Sequence, residues 1–397
     1  MPNYSGCLRY VTAVHDACFR GSPFEHIETL AMTNPEWICV RNNAGHSPLQ
    51  ILCKNGRIDE RIVTTFSRIG GPEIFSVIDA NGNTALHSAM REDTDIDTVQ
   101  CLIRSFPDAV HLKTIYGDSP LHLACFRRAS ADVVRVVVEA SSDGSVSPIL
   151  EPNTSGQTPI SIAMEEFRSV CRGGGFCCVV SEYRPEHTRA FEVLATLVKM
   201  LYYGPCSSEE SGDQSLVRAC VSLHRQDVRL DPAFVRRAIH LHPEETRLLD
   251  EDLNSPLHIE ASIPVEKMPL LDASPAGCCG GNCHKRMGIL RILLEIHPEA
   301  TSVRNTSGEF PLGLMIQNGR LWGHTVALAL RAFPPALHWY KGLDDRLLPP
   351  ILERIWKECG NDTLFALLNS RPDTVRLVST DARSPPVGAE EEQRMSM

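Results

Sequence analysis

The chain has 397 residues, 43% of them hydrophobic, and a formal net charge of −10. That length exceeds what a single hydrophobic core usually organises, so several domains or a repeat array are expected. The acidic balance excludes nucleic-acid binding that relies on bulk basicity, and no apolar run is long enough to span a bilayer. The opening MPNYSGCLRY has no apolar signal core, and the 15 cysteines therefore read as reduced thiols of a cytoplasmic or nuclear protein.

In chain order, the first recurring element is a worn one, Ala13-Val14-His15-Asp16-Ala17-Cys18. Clearer copies follow: Ser47-Pro48-Leu49-Gln50, Thr84-Ala85-Leu86-His87, Ser119-Pro120-Leu121-His122-Leu123-Ala124-Cys125 and Thr158-Pro159-Ile160-Ser161. Ser215-Leu216-Val217-Arg218, Ser255-Pro256-Leu257-His258 and Phe310-Pro311-Leu312-Gly313 continue the series. The His position of the pattern falls at 15, 50, 87, 122, 161, 217, 258 and 313. Each residue type has a physical role. Ser or Thr caps a helix, and Pro fits the first turn, where its missing N–H costs nothing. Leu or Ile enters the core, and the small Ala and Cys let helices approach. Five residues before the His position stands a Gly in most copies (Gly45, Gly82, Gly117, Gly156, Gly212, Gly308), as a tight turn with positive φ requires. A second, broadly apolar helix follows each first one, as in 133–140 and 289–294, and must be buried on more than one side. Prolines 35, 72, 107, 243, 298, 334 and 372 then mark the exits.

This pattern resembles the ankyrin repeat, with its period of about 33 and its T-P-L-H-x-A signature, over most of residues 10–378. The resemblance implies an all-α solenoid of about nine helix-pair repeats joined by β-turn fingers. A last pair is expected over 347–377, and an acidic, disordered tail over 379–397. It also implies that His15, His87, His122 and His258 are structural hydrogen-bonding residues. Two long intervals locate Cys/Gly-rich insertions near 169–188 and 264–286, each between the two helices of its repeat. The first holds Cys171, Cys177 and Cys178; the second holds Cys278-Cys279-Gly280-Gly281-Asn282-Cys283-His284. A metal-binding or small enzymatic module built on these loops is the alternative function. Neither loop has the paired C-x-x-C spacing of a zinc site, and both read as surface loops without metal. Glu260 departs from the pattern, standing where a small Ala is expected.

No phosphate-binding loop, H-E-x-x-H or G-x-S-x-G motif is present, so neither enzyme chemistry nor a cofactor is expected. The expected function is a protein–protein interaction scaffold or adaptor, with neither nucleic acid nor membrane as partner. Ankyrin arrays resemble one another in binding through a concave groove of turns and first helices. The groove positions four and five places after the His marker supply Phe19, Arg20, Lys54, Arg91, Phe126 and Arg127, with Tyr116 at a turn tip. Arg and aromatic residues are enriched at binding hot spots. A partner with an acidic, partly apolar segment is the expected complement.

Overall fold

A computed structural model describes residues 12–333 except 92, 143–146, 174–184, 206–213, 227, 229, 265–287 and 319–323. The described residues are helical, with turns between, and contain no strand. The chain divides into two compact units, Met1–Ala219 and Cys220–Met397.

The first unit opens with helix pairs α1 (Ala13–Arg20) with α2 (Phe24–Thr33), and α3 (Pro48–Lys54) with α4 (Glu60–Gly70). A short α5 (Glu73–Ser76) precedes the pair α6 (Ala85–Ala89) and α7 (Ile96–Ser105). The pairs α8 (Pro120–Phe126) with α9 (Ala131–Ser141), and α10 (Pro159–Gly173) with α11 (Pro185–Tyr203), follow. First helices pack on first helices in the order α1, α3, α6, α8, α10. Second helices pack in parallel order α2, α4, α7, α9, α11. The unit is therefore two helical layers deep, and each repeat buries its apolar side against its neighbours. Helix α12 (Leu216–Arg225) carries the unit boundary. The second unit continues with α13 (Pro232–Leu241), α14 (Pro256–Ala261), α15 (Ile289–Ile296), α16 (Pro311–Gln317) and α17 (His324–Ala332). There α14 packs on α16, while α13, α15 and α17 form the other layer.

The repeated apolar residue is core throughout: Leu49, Leu86, Leu121, Ile160, Leu257 and Leu312 are all buried. Cys18, Cys53, Cys125 and Cys220 are buried at the small-residue position, and burial pushes the thiols of Cys18 and Cys125 up to about 12. A thiol so disfavoured as thiolate is packing material. Four of the prolines read as exits, 35, 107, 243 and 298, open 3-10 turns that follow a second helix; Pro72 instead precedes α5. Between that turn and the next first helix lies a finger whose glycine has φ between 75° and 79° at Gly45, Gly82, Gly117, Gly156 and Gly308.

The segment expected as the first insertion, 169–188, is described at its two ends. Residues 169–173 continue α10, and α11 starts at Pro185, so both helices of this repeat reach into that segment. Cys177, Cys178, the cluster 278–284, Gly212, Pro334, Pro372, the expected pair at 347–377 and the tail 379–397 lie outside the described residues. Among the described residues no helix is long and apolar enough to cross a membrane.

Candidate functional site

The repeated histidines of the first unit link each first helix to the next repeat. His15 Nδ1 lies 2.7 Å from the Thr12 hydroxyl, and its Nε2 lies 3.1 Å from the His46 carbonyl of the next finger. His87 pairs with Thr84 and reaches the Asp118 carbonyl at 3.2 Å. His122 pairs with Ser119 and reaches the Gln157 carbonyl at 3.2 Å. His258 pairs with Ser255, but its Nε2 stops short of hydrogen-bond geometry with the carbonyls of Val303 and Glu309. At His15, His87 and His122 one imidazole therefore caps its own helix and ties that helix to the following repeat. Gln50 does the same work with an amide. Its Oε1 accepts the Ser47 N–H at 2.8 Å, and its Nε2 donates to the carbonyls of Val77 and Asn83 at 3.0 and 2.6 Å. Ser161 is too short to cross; its hydroxyl donates to the Thr158 carbonyl in its own repeat. Burial lowers the pKa of His15 and His122 and takes those of His87 and His258 down to about 4, against the carbonyls that favour their charged forms.

Neighbouring fingers are joined by backbone bonds. Ile115 N–H donates to the Asn81 carbonyl at 3.0 Å, and Thr154 N–H donates to the Tyr116 carbonyl at 3.0 Å. Within the finger of α6, Asp79 Oδ1 accepts the N–H groups of Asn81 and Asn83 at 2.8 and 2.9 Å. The fingers that precede α6, α8 and α10 are thus linked in a row.

On that frame the predicted residues divide into two kinds. The aromatic ones are exposed: Phe19 is 66% exposed, Phe126 60% and Tyr116 58%, with Ile115 next to it in the chain at 61%. The cations differ among themselves. Arg20 pairs with Asp16 one turn back at 2.9 Å and stays largely exposed. Lys54 is drawn inward: its Nζ donates to Asp79 Oδ2 at 3.1 Å and to His46 Nε2 at 2.8 Å. Arg91 pairs with Asp93 at 3.3 Å and donates through Nη1 to the Lys54 carbonyl. Arg127, the C-cap of α8, is half-buried and has no ion pair among the described residues. Burial lowers its pKa, the Arg91 charge adds to the effect, and Asp79 opposes it.

Asp79 is the residue that the spacing of the groove positions did not single out. Its carboxylate is wholly buried under Lys54 and His46. Burial alone would raise its pKa, but hydrogen bonds from Asn83, Lys54 and the Asn81 N–H hold it below the usual carboxylate value. The signal was present, because Asp79 opens a finger and its side chain can close an Asx turn. Arg57 was also missed; it donates to the Phe19 carbonyl at 3.2 Å and steadies the end of α1.

The chain aligns with a putative ankyrin repeat protein of Fowlpox virus (strain NVSL), at 30% identity over 165 residues, which is 41% of this chain and 40% of that protein. The chain therefore covers well under half the length of this relative. No family model matches the chain. The paired helical layers, the fingers and the cap-to-finger histidines agree with that likeness. The fold is an ankyrin-like helical repeat solenoid. Glu260, the departure from the repeat pattern, sits buried at a small-residue position and accepts from His224 Nδ1 at 3.2 Å, tying α14 to α12. Among the described residues no group of His, Cys, Asp or Glu is arranged to hold a metal ion.

Proposed function

We propose that the chain is a non-catalytic interaction scaffold that binds an acidic, partly apolar segment of another protein along the groove of its first four repeats. The observation that carries this reading is the exposure of Phe19 and Phe126 at equivalent helix ends, with Tyr116 on the adjacent finger. Folding gains nothing from three large rings in water, whereas a partner that covers them removes apolar area from solvent. Arg127 supplies positive charge beside Phe126, and Arg20 and Arg91 stand on the same rim. Lys54 supports the site from below, since its charge is already committed to Asp79.

Rim charges act mainly on association rate and buried rings on dissociation. The test uses a labelled peptide that alternates Glu with Phe and Leu, with a Lys-substituted peptide as control. Binding of the acidic peptide alone is expected. Phe126→Ala should accelerate its dissociation about tenfold. Arg91→Glu with Arg127→Glu should slow association and flatten its salt dependence. Affinity that ignores all three changes, or that favours the Lys peptide, would overturn the assignment.

A further inference from the structure

The finger of the second unit that precedes α14 carries a leucine where its counterparts carry glycine. Its backbone is the standard one. Asp250 Oδ1 accepts the N–H groups of Asp252 and Asn254 at 2.9 and 2.7 Å, matching the bonds of Asp79. Leu253 N–H donates to the Asp250 carbonyl at 3.0 Å, as Gly82 N–H does to Asp79. Thr306 N–H donates to the Asp252 carbonyl at 2.8 Å, so the link to the next finger is also kept. Yet Leu253 occupies φ 58°, in the left-handed region where a Cβ crowds the backbone and glycine is preferred. Its side chain is 46% exposed, and Leu248 and Leu249, five and four residues earlier, are 38% and 40% exposed.

Leucine here costs the fold conformational energy and leaves apolar surface in water. An outlier of this kind is the starting point for a functional inference. We propose that Leu253 is the apolar anchor by which this finger docks a basic amphipathic helix of a partner protein, a site separate from the groove of the first four repeats. Charge selects the occupant. Residues 247–254 hold one arginine, Arg247, against the carboxylates of Asp250, Glu251 and Asp252, and Glu251 and Asp252 are exposed. A helix with apolar residues at i, i+3 and i+4 flanked by Lys or Arg meets both features. The same carboxylates repel an acidic segment.

The test uses the full chain and a labelled Leu/Lys amphipathic peptide, with a Leu/Glu peptide of identical pattern and oligolysine as controls. The Leu/Lys peptide should bind, and Leu253→Asn and Leu253→Gly should each weaken it about tenfold. Both residues tolerate positive φ, so the melting temperature should be kept or raised in both variants. That combination, with binding lost and fold intact, is what separates a docking residue from a packing residue. Unchanged affinity in both variants would overturn the proposal. So would a lower melting temperature for Leu253→Asn, oligolysine binding as tightly as Leu/Lys, or preference for the Leu/Glu peptide.

Discussion

A single imidazole at the His position replaces two separate devices, a helix cap and a strap to the next repeat, and the replacement makes the fold sensitive to pH. His87 stays neutral in the folded chain down to about pH 4, while an unfolded histidine takes its proton near 6.5. Between those values the unfolded state binds a proton that the native state refuses. Stability is therefore complete above pH 6.5 and falls as the pH drops towards 4. For His87 the loss amounts to roughly 3 kcal/mol at most. Gln50 shows that an amide can hold the same bonds with nothing to titrate. His87→Gln should accordingly fold, and denaturant melts should show a shallower loss of stability from pH 6.5 to 4 than in the parent chain. An undiminished slope would mean that His87 is not the titrating group. The histidines were legible from sequence because their neighbours repeat with them. The trio Lys54, His46 and Asp79 was not, because its members come from different places in the pattern and meet only after two repeats stack. Position alone made Lys54 a groove cation; its buried partner shows where that charge is spent.

Fingers are the elements in which glycine matters for two distinct reasons, and the structure separates them. A Cβ on Gly117 would come within 2.8 Å of Thr154 N, on top of a φ of 75°. A Cβ on Gly156 would meet nothing within 4 Å, so only its φ of 76° opposes substitution. Gly156→Ala should therefore cost about 1 kcal/mol, the price of a left-handed alanine. Gly117→Ala should cost clearly more, because the Tyr116–Thr154 link must also open. Chemical denaturation of the two variants gives the comparison, and equal losses would show that the fingers do not press on one another. Sequence located these turns through their glycines and located the helices through caps and prolines. It did not locate Leu253, since the pattern search looks for glycine and passes over its absence. Nor did it give the length of α10, because Cys and Gly at 171–173 read as loop residues although the helix runs through them.

At the scale of the whole molecule, an array is stabilised by nearest-neighbour links, and these links are unevenly distributed. In the first unit, straps cross from the repeats of α1, α3, α6 and α8 to their successors, through His15, Gln50, His87 and His122. The repeats of α6 and α8 have strapped neighbours on both sides or finger bonds in addition; α1 has a neighbour on one side only among the described residues. Local opening should follow that distribution, since amides exchange through the least costly opening available to them. Hydrogen exchange at pH 7 is therefore expected to be slowest in α6 and α8 and to quicken towards α1. Lowering the pH to 5, after correction for intrinsic rates, should weaken protection where the strap is histidine. The protection that Gln50 gives between α3 and α6 should be the least affected, because an amide has no proton to gain. Uniform protection across the unit would mean that it opens as one body and that the straps add nothing local. A loss at pH 5 as large around Gln50 as around His87 and His122 would place the acid sensitivity elsewhere, with His46, whose imidazole also resists its proton through burial and the Lys54 charge, the next group to substitute.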